Sequence, residues 1–371
     1  MLNDLLILDF TRAVAGPFCT MLLGDLGARV IKVEEEGTGD ETRRWGPPFI
    51  DGLSAYHLSM NRNKESVAVN LKSGEGRRLV QAIAAKADVV IENFRPGVAD
   101  RLGIGYRQLA ASNPRLVYAS VSGFGHTGAD RLKAAYDLII QAMSGCMYLS
   151  GTQEQGPMKV AFPVADILAG LFVGQAILAA LLSRERTGRG RRIDVSLFDG
   201  MLCAMSNLAA IALNTGREPA RVGIAQANIV PYQLFQCADA PIVAGAPNDR
   251  LWHKFCEALG HPEWADDPRF ATNELRNSNR AECIALVADV FRQKCAADWI
   301  GALERHDLPC GPVHTITEAL DRIPVVEVEH GKLGKIRLVG NPMRFDGFEP
   351  DYREPAELGR DTEKVRKEFL G

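Results

Sequence analysis

Asp166 is the residue whose type and setting most clearly suggest chemistry. It is a lone carboxylate between an apolar stretch at residues 160–165 and a run at residues 167–182 that is apolar except for Gln175. The run has the length of a helix and is too long for a buried strand. Free backbone N–H groups and the helix dipole at a helix start favour the ionised form of a carboxylate. An ionised, partly desolvated carboxylate is a competent nucleophile. The other interpretation is an N-cap residue that only begins the helix.

Short apolar strands alternate with helical patterns before Asp166, which predicts a parallel α/β sheet. A strand at residues 5–10, a helix opened by Gly16 and Pro17, and a strand at residues 29–33 form a βαβ unit. Further strands are predicted at residues 66–71, 89–91, 116–121 and 193–197, with helices at residues 74–87, 199–213 and 280–305. In such sheets, ligands bind beyond the carboxyl ends of the strands. The turn at residues 11–17 lacks the G-x-G-x-x-G fingerprint, so an NAD site is not predicted.

The domain organisation is predicted from length and from a change of composition near Asn214. A chain of 371 residues is longer than one ordinary core requires. We expect an α/β fold with a Rossmann-like large domain at residues 1–224 and a smaller α+β domain at residues 225–325. The segment at residues 326–371 is predicted to return to the large domain.

Composition limits the classes of function. A formal net charge of -3 provides no long-range attraction to nucleic acid. The eight cysteines contain no C-x-x-C pair, so we predict neither a metal site nor a disulfide framework, and we expect reduced thiols in a cytoplasmic protein. The first residues lack the basic region of a signal peptide. The run at residues 167–182 is shorter than the ~20 residues of a membrane span and is interpreted as a core helix.

Several motifs in order along the chain together resemble one family, the class III coenzyme A transferases of the formyl-CoA transferase or CaiB/BaiF type. Each motif alone is weak, but their joint order and spacing are specific. The matching segments are residues 8–11 with 15–17, 26–34, 87–97 (Ala-Asp-Val-Val-Ile-Glu-Asn-Phe-Arg-Pro-Gly), 136–145 (Tyr-Asp-Leu-Ile-Ile-Gln-Ala-Met-Ser-Gly), 187–190 and 309–313.

This resemblance implies a fold, an assembly and a mechanism. The family has a Rossmann-like large domain, a late small domain and two chains threaded through each other as an interlocked dimer. Its nucleophilic aspartate falls on Asp166, which attacks an acyl-CoA thioester and passes through an anhydride and an aspartyl–CoA thioester. Coenzyme A is then a moiety of the substrates, and no permanently bound cofactor is implied.

The resemblance also implies which residues contact coenzyme A. They are Ala13, Val14, Asn93, Phe94, Arg101 and Tyr136. A cation such as Arg101 has a clear physical role beside a phosphate.

Two positions of this chain depart from the formyl-transferring member of the family. Its run of glycines is reduced to Gly223 within residues 223–228, which argues against a mobile lid and against oxalate or formate as substrate, and one of its CoA-binding arginines is replaced by Glu35.

Two alternative functions stay open at this point. α-Methylacyl-CoA racemases share the fold and use a His-Asp dipeptide where this chain has Tyr136 and Asp137. Tyrosine is a poor base at neutral pH because its reference pKa is about 10, so an isomerase is the less favoured alternative. The third class is a non-catalytic CoA-binding subunit, against which the aspartate at position 166 argues. The expected substrates are an acyl-CoA and a small, dicarboxylic acid, with no nucleic-acid or membrane partner.

The predicted assembly can be tested directly. A small domain late in the chain, followed by a segment that returns to the large domain, suits an intertwined homodimer. We expect light scattering to find a dimer at every concentration at which the protein is folded. A stable folded monomer at low concentration would contradict this prediction, because an obligate dimer has no folded monomeric state.

Overall fold

The computed structural model describes all 371 residues, Met1–Gly371. Contacts within the chain divide it into two compact units. The first contains residues 1–146, 159–213 and 324–371, and the second contains residues 147–158 and 214–323. These units are groups of contacts, and the domain boundaries at residues 225 and 326 stay predictions.

The strands and helices have the following bounds. The strands are β1 (Leu6–Asp9), β2 (Arg29–Glu34), β3 (Phe49–Ile50), β4 (Leu53–Ser54), β5 (Lys64–Ala68), β6 (Val89–Glu92), β7 (Val117–Ser122), β8 (Arg192–Ser196), β9 (Tyr232–Gln236), β10 (Pro241–Gly245), β11 (Cys310–Pro312), β12 (Val325–His330) and β13 (Gly334–Val339). The helices are α1 (Ala15–Asp25), α2 (Ala55–Met60), α3 (Gly74–Lys86), α4 (Val98–Leu102), α5 (Tyr106–Ser112), α6 (Asp137–Met143), α7 (Cys146–Leu149), α8 (Val164–Thr187), α9 (Leu197–Ala204), α10 (Ser206–Thr215), α11 (Asp249–Leu259), α12 (Asn273–Ser278), α13 (Arg280–Phe291), α14 (Ala296–Glu304), α15 (Ile316–Leu320) and α16 (Thr362–Leu370).

A six-stranded parallel sheet forms the centre of the first unit, in the order β5-β2-β1-β6-β7-β8. Its inner strands are apolar on both faces, as expected when helices cover both sides. The predicted α/β class is confirmed. The chain passes outward from β1 through β2 to β5 and then returns to β6 on the other side of β1. This reversal makes a crevice between the carboxyl ends of β1 and β6, where open α/β sheets bind ligands.

The edge of this sheet at β5 is covered by the end of the chain. The backbone N–H of Ser66 donates to the Asp361 carboxylate at 2.9 Å, and the N–H of Ala68 donates to the Thr362 hydroxyl at 3.0 Å. Val365 of α16 is fully buried in the same core as Val67. The last segment therefore satisfies donors that a free edge strand would leave exposed.

The second unit has its own core. Strands β9, β10 and β11 form an antiparallel sheet against helices that include α11, α13 and α14. The core is aromatic, with Trp252, Phe255, Phe291 and Trp299 all buried. This mixture of an antiparallel sheet and helices is the α+β architecture that the sequence predicts for the smaller part.

Two helices that the sequence predicts as continuous are each divided into two in the structure. The pattern predicted as one helix at residues 199–213 forms α9 and α10, because the chain leaves helical geometry at Met205. The pattern at residues 280–305 forms α13 and α14, with a break before Cys295, whose backbone is extended. The apolar spacing continues across each break and conceals it.

Helix α8 is longer than the apolar run that predicts it. It spans 24 residues and is, by length and composition alone, the one helix that could cross a membrane. One face of it is part of the core of the first unit, through Ala165, Ala169, Val173 and Ile177. This packing agrees with the interpretation of the run as a core helix.

Helix α8 approaches the backbone of α1 closely at Gly170. A Cβ atom on Gly170 would lie 2.7 Å from the carbonyl oxygen of Ala15, which is the first residue of α1. One turn further on, a Cβ atom on Gly174 would lie 3.5 Å from the Cys19 Sγ atom, an ordinary contact. The absent side chain at position 170 therefore sets the distance between the starts of the two helices.

We predict opposite effects for two glycine substitutions on α8. Alanine is favoured over glycine in a helix by about 1 kcal/mol, but forcing an atom against a backbone oxygen costs about 1–3 kcal/mol. Gly170→Ala should lower the free energy of unfolding, whereas Gly174→Ala should leave it unchanged or raise it. Urea denaturation of both variants measures this, and equal effects would contradict the proposed close approach.

Candidate active site

A cavity of about 170 Å³ opens at the carboxyl ends of β1, β6 and β7. Its position corresponds to the crevice expected from the reversal of strand order. The segments that line it include the turn before α1, the turn after β6, the end of β7, the loop before α6 and the start of α8. Its polar lining residues include Arg12, Glu41, Asn93, Arg95, Arg131, Lys133, Tyr136 and Asp166.

Asp166 is the third residue of α8, inside its first turn. The N-cap position is occupied by Pro163, which makes no side-chain capping bond. The interpretation of Asp166 as an N-cap residue is therefore wrong. Its carboxylate instead faces the backbone N–H of Ala15, at the start of α1, and this contact favours the ionised form. Gly170 lies four residues later, on the same side of α8, so the close helix contact brings this carboxylate to that N–H.

The pKa of Asp166 is raised to about 7, first by burial and then by the negative charge of Asp137, while the Ala15 N–H opposes the rise. The expectation that the helix start would keep this group fully ionised is therefore wrong, because desolvation outweighs the favourable backbone contact. Near neutral pH the carboxyl exists in both protonation states. Asp166 and Asp137 also raise the pKa of the Tyr56 hydroxyl to about 12, after the larger effect of burial.

Asp137 holds the start of α8 in place. Its Oδ1 atom accepts from the backbone N–H of Ala165 at 2.9 Å, and its Oδ2 atom accepts from the Gln141 side-chain amide at 2.7 Å. The carbonyl oxygen of that amide accepts from the backbone N–H of Val160 at 2.8 Å. Two side chains of α6 thus satisfy backbone donors on both sides of the turn that precedes Asp166.

Asn93 joins the two loops on either side of the crevice. Its Oδ1 atom accepts from the backbone N–H of Arg12 at 2.9 Å, and its Nδ2 atom donates to the Arg12 carbonyl oxygen at 2.8 Å. The Arg12 guanidinium lies 5.5 Å from the centre of the Phe94 ring. These contacts fix the turn that leads to Ala13, whose φ of 62° lies in the left-handed region.

A second cavity, of about 160 Å³, shares Arg12 and Phe94 with the first. Its floor holds the ends of β1 and β2, and it combines apolar side chains with Lys32 and Lys72. The Lys32 ammonium pairs with Asp40 at 2.9 Å and donates to the Thr11 carbonyl oxygen at 2.7 Å. Burial alone would lower the pKa of Lys32, but the surrounding carboxylates, Asp40 foremost, raise it.

The predicted site residues fall into two groups. Ala13, Asn93, Phe94, Tyr136 and Asp166 line the same cavity. Val14 is buried beneath the turn, and Arg101 lies on the exposed side of α4 outside both cavities. Their predicted contacts with coenzyme A stay predictions.

Sequence reasoning did not single out several residues of this region. Glu41, Arg131 and Lys133 line the cavity, and Tyr56 experiences the charge of Asp166. They lie in irregular or short elements with no periodic pattern to mark them. Arg12 lies between two of the motif segments, and Asp137 was named only as part of the dipeptide compared with the racemases, so neither was assigned a role near Asp166. No group of three or more metal-ligating side chains is present in the chain.

The raised pKa of Asp166 can be measured on the free protein. We expect the carboxyl to titrate near pH 7 in isotope-edited infrared spectra of protein labelled at the aspartate side-chain carbon, with Asp166→Asn identifying its band. Asp137→Asn removes the adjacent negative charge, so the titration should move to lower pH. Glu185→Gln, near the far end of α8, should leave it in place. A titration near pH 4 in the unmodified protein would contradict the assignment.

Comparisons with known proteins identify the family of this chain. Residues 2–362 match the family model described as CoA-transferase family III. The mouse succinyl-CoA:glutarate CoA-transferase is 40% identical over 376 residues, covering 100% of this chain and 86% of the relative. The acetyl-CoA:oxalate CoA-transferase of Acetobacter aceti is 40% identical, covering 99% of this chain and 95% of the relative. A CAIB/BAIF family structure from Brucella suis superposes with a TM-score of 0.86 at 38% identity, covering 99% of both chains. The chain belongs to CoA-transferase family III and is an enzyme of that class.

Proposed function

We propose that this enzyme moves coenzyme A from an acyl-CoA to a dicarboxylic acid, with Asp166 as the nucleophile. The observation that carries the proposal is the position of this carboxylate, which lies at the crevice of the sheet, against the N–H of Ala15. The names of the relatives supply the class of acceptor, since they include glutarate, oxalate and mesaconate.

The exchange proceeds in four acyl-transfer steps. The Asp166 carboxylate attacks the thioester carbon, the C–S bond breaks, and a mixed anhydride and CoA thiolate form. The thiolate attacks the aspartyl carbon, which releases the first acid and leaves an aspartyl–CoA thioester. The acceptor carboxylate attacks that carbon, giving a new anhydride and thiolate. The thiolate then attacks the acceptor's acyl carbon, which frees Asp166 and the new acyl-CoA. Covalent catalysis replaces one difficult step by easier ones.

The surroundings of Asp166 suit both of its roles. As a nucleophile, a partly desolvated carboxylate is more reactive than one in water, but only its ionised fraction reacts. When its own carbon is attacked, negative charge develops on the aspartyl oxygen. The Ala15 N–H that faces the resting carboxylate can stabilise that oxyanion, and the dipole of α1 acts in the same direction. A transfer rate that depends on ionised Asp166 should fall as pH decreases through about 7.

We assign coenzyme A to the two cavities that share Arg12 and Phe94. The acyl end lies at Asp166, and the nucleotide end lies beyond Phe94, where apolar walls and the Lys72 ammonium suit an adenine ring and a phosphate. Asn93 holds the turn at Arg12, which lies between the two cavities. Both polar atoms of its side chain are already hydrogen-bonded to the Arg12 backbone.

Two observations support a dicarboxylic acceptor: the positive charge of side chains that line the cavity, and the acids in the names of the relatives. Arg12, Arg95, Arg131 and Lys133 line the cavity of Asp166, and one of them can pair with the second carboxylate of the acceptor. The absence of a glycine run argued against oxalate. However, the relatives named for oxalate and for glutarate are equally identical to this chain, so identity does not separate the two acids.

We further propose that the enzyme works as a cytoplasmic interlocked homodimer. Large apolar side chains are exposed along one side of α8, at Leu171, Leu178 and Leu182, and on α6 at Leu138 and Ile139. A second chain packed on these surfaces would remove them from water, with a gain of about 25 cal/mol for each Å² of apolar surface.

The nucleophile is tested by substitution and trapping. Asp166→Ala should reduce CoA transfer by at least about 10³-fold, because the covalent intermediates cannot form, while CoA binding and the melting temperature change little. Hydroxylamine added with acyl-CoA should convert Asp166 of the unmodified enzyme to a hydroxamate, seen by peptide mass. Asp298→Ala is the matched control, since Asp298 is also the third residue of its helix but is exposed. Full activity in Asp166→Ala would exclude this mechanism.

The same preparation distinguishes the isomerase alternative. Transfer needs no proton abstraction at the α-carbon, whereas racemisation needs a base on each face. Tyr136 occupies the place of the racemase histidine, and its hydroxyl donates to Glu41 at 3.4 Å. With a chiral 2-methylacyl-CoA in heavy water, we expect neither deuterium incorporation nor loss of stereochemistry. Rapid deuteration without CoA exchange onto a labelled free acid would support the isomerase instead.

A further inference from the structure

A third cavity of the first unit, which we call the Glu92 cavity, has a volume of about 380 Å³. Glu92 of β6 and its register partner on β7, Ser120, line it from the sheet, and residues of α4 and α5 line it from the helical side. The cavity shares Arg95 with the cavity of Asp166 and no residue with the cavity assigned to the nucleotide end of coenzyme A. The proposed transfer chemistry therefore leaves most of this space without a ligand.

Positive charge surrounds the mouth of the Glu92 cavity. The guanidinium groups of Arg95, Arg107 and Arg192 line it, all three residues are exposed, and none of them forms an ion pair within the chain. Two carboxylates, those of Glu92 and Asp100, also line it, so the cations are in excess. A planar guanidinium presents paired N–H donors that match the oxygens of an oxyanion. The mouth is therefore suited to a small oxyanion.

His126 adds a neutral donor to this set. Its Nδ1 atom lies 2.9 Å from the Nη2 atom of Arg192. A guanidinium only donates, so Nδ1 is the acceptor and the proton of the neutral ring lies on Nε2. Burial lowers the pKa of His126, against the opposing charge of Asp194, and this favours the neutral ring. The Nε2 atom is buried without a hydrogen-bond partner, which is uncommon for a buried polar group.

Glu92 provides an acceptor on the sheet side of the cavity. It is 2% exposed, and its Oε2 atom accepts from the backbone N–H of Phe94 at 2.8 Å. Burial raises the pKa of its carboxyl to about 7, while the Ser120 hydroxyl, the Phe94 N–H and the charge of Arg192 oppose the rise and Asp194 adds to it. At pH 8 the carboxyl is therefore mostly ionised and can only accept.

A ligand that satisfies the whole set must accept from the cations and from His126, and it must donate to Glu92. The hydrogenphosphate dianion, the main form of phosphate at pH 8, has three unprotonated oxygens and one hydroxyl. Sulfate has the same charge and a similar shape but no proton to donate. The dianion of a phosphate monoester also lacks that proton, because it is lost near about pH 6.

We propose that the Glu92 cavity binds inorganic phosphate, whose unprotonated oxygens accept from the three arginines and from His126 and whose hydroxyl donates to Glu92. The site goes beyond the proposed function, and its occupant takes no part in the acyl-transfer steps at Asp166.

The test compares three anions on the full-length protein at pH 8. Isothermal titration calorimetry is performed with the protein saturated with CoA, so that no anion can occupy the cavities assigned to CoA. We expect one phosphate to bind per chain, and sulfate and methyl phosphate to bind at least about tenfold more weakly, because each loses a hydrogen bond to a charged group. The absence of saturable phosphate binding, or equal affinity for phosphate and either of the other anions, would overturn the proposal.

Glu92→Gln tests the origin of this preference. A glutamine amide has both a donor and an acceptor, so it removes the negative charge and can face either anion. Sulfate should bind this variant more tightly than it binds the unmodified protein, and the preference for phosphate should fall to within about twofold. A preference that persists in the folded variant would contradict the role of Glu92, and its melting curve shows whether it is folded.

A substitution at the mouth avoids the core altogether and decides the question if Glu92→Gln does not fold. Arg107→Gln should weaken phosphate binding by about two- to fivefold, as expected for an exposed charge. Arg78→Gln is the matched control, because Arg78 is equally an exposed arginine on a helix but lies outside the cavity. Equal affinities in the Arg107→Gln and Arg78→Gln variants would overturn the assignment.

Discussion

The close contact between α8 and α1 is the constraint on which the site depends. Gly170 lets the backbone of α8 approach the first residue of α1, and this approach brings the Asp166 carboxylate to the N–H of Ala15. The same contact encloses the carboxylate, which raises its pKa to about 7. This one backbone approach therefore affects the reactivity of the nucleophile, the N–H that faces it and the packing of α8 against α1.

Buried charge supports the loops around this contact. Asp9 accepts from the N–H and hydroxyl of Thr11 and from the Thr20 hydroxyl, while Lys32 holds the Thr11 carbonyl. An isolated buried charge would be costly, but each of these groups has several partners. The turn at residues 11–13 is thus fixed from below by ionic groups and from the side by Asn93, so that its backbone is ordered before any substrate binds.

Most of the fold, but only part of the candidate site, can be predicted from the sequence. The strands of the parallel sheet were predictable because each is a short apolar run with a helix after it, and Asp166 was predictable because a carboxylate interrupts such a run. The breaks at Met205 and Cys295 were not, because apolar spacing continues across them. The raised pKa of Asp166 could not be foreseen either, since it depends on Asp137, 29 positions away, and on enclosure by α1. The cavity lined by His57 and His330 joins segments that no local pattern connects.

The covering of β5 by the last residues has a consequence for biosynthesis. Asp361, Thr362 and Val365 complete the hydrogen bonding and the core beside a strand that ends at Ala68. During translation, almost 300 residues must follow that strand out of the ribosome before its partners arrive. Until then, the nascent chain exposes an unpaired strand edge, the kind of surface that aggregates or recruits chaperones. The large unit can therefore finish folding only after residues 361–365 have left the ribosome.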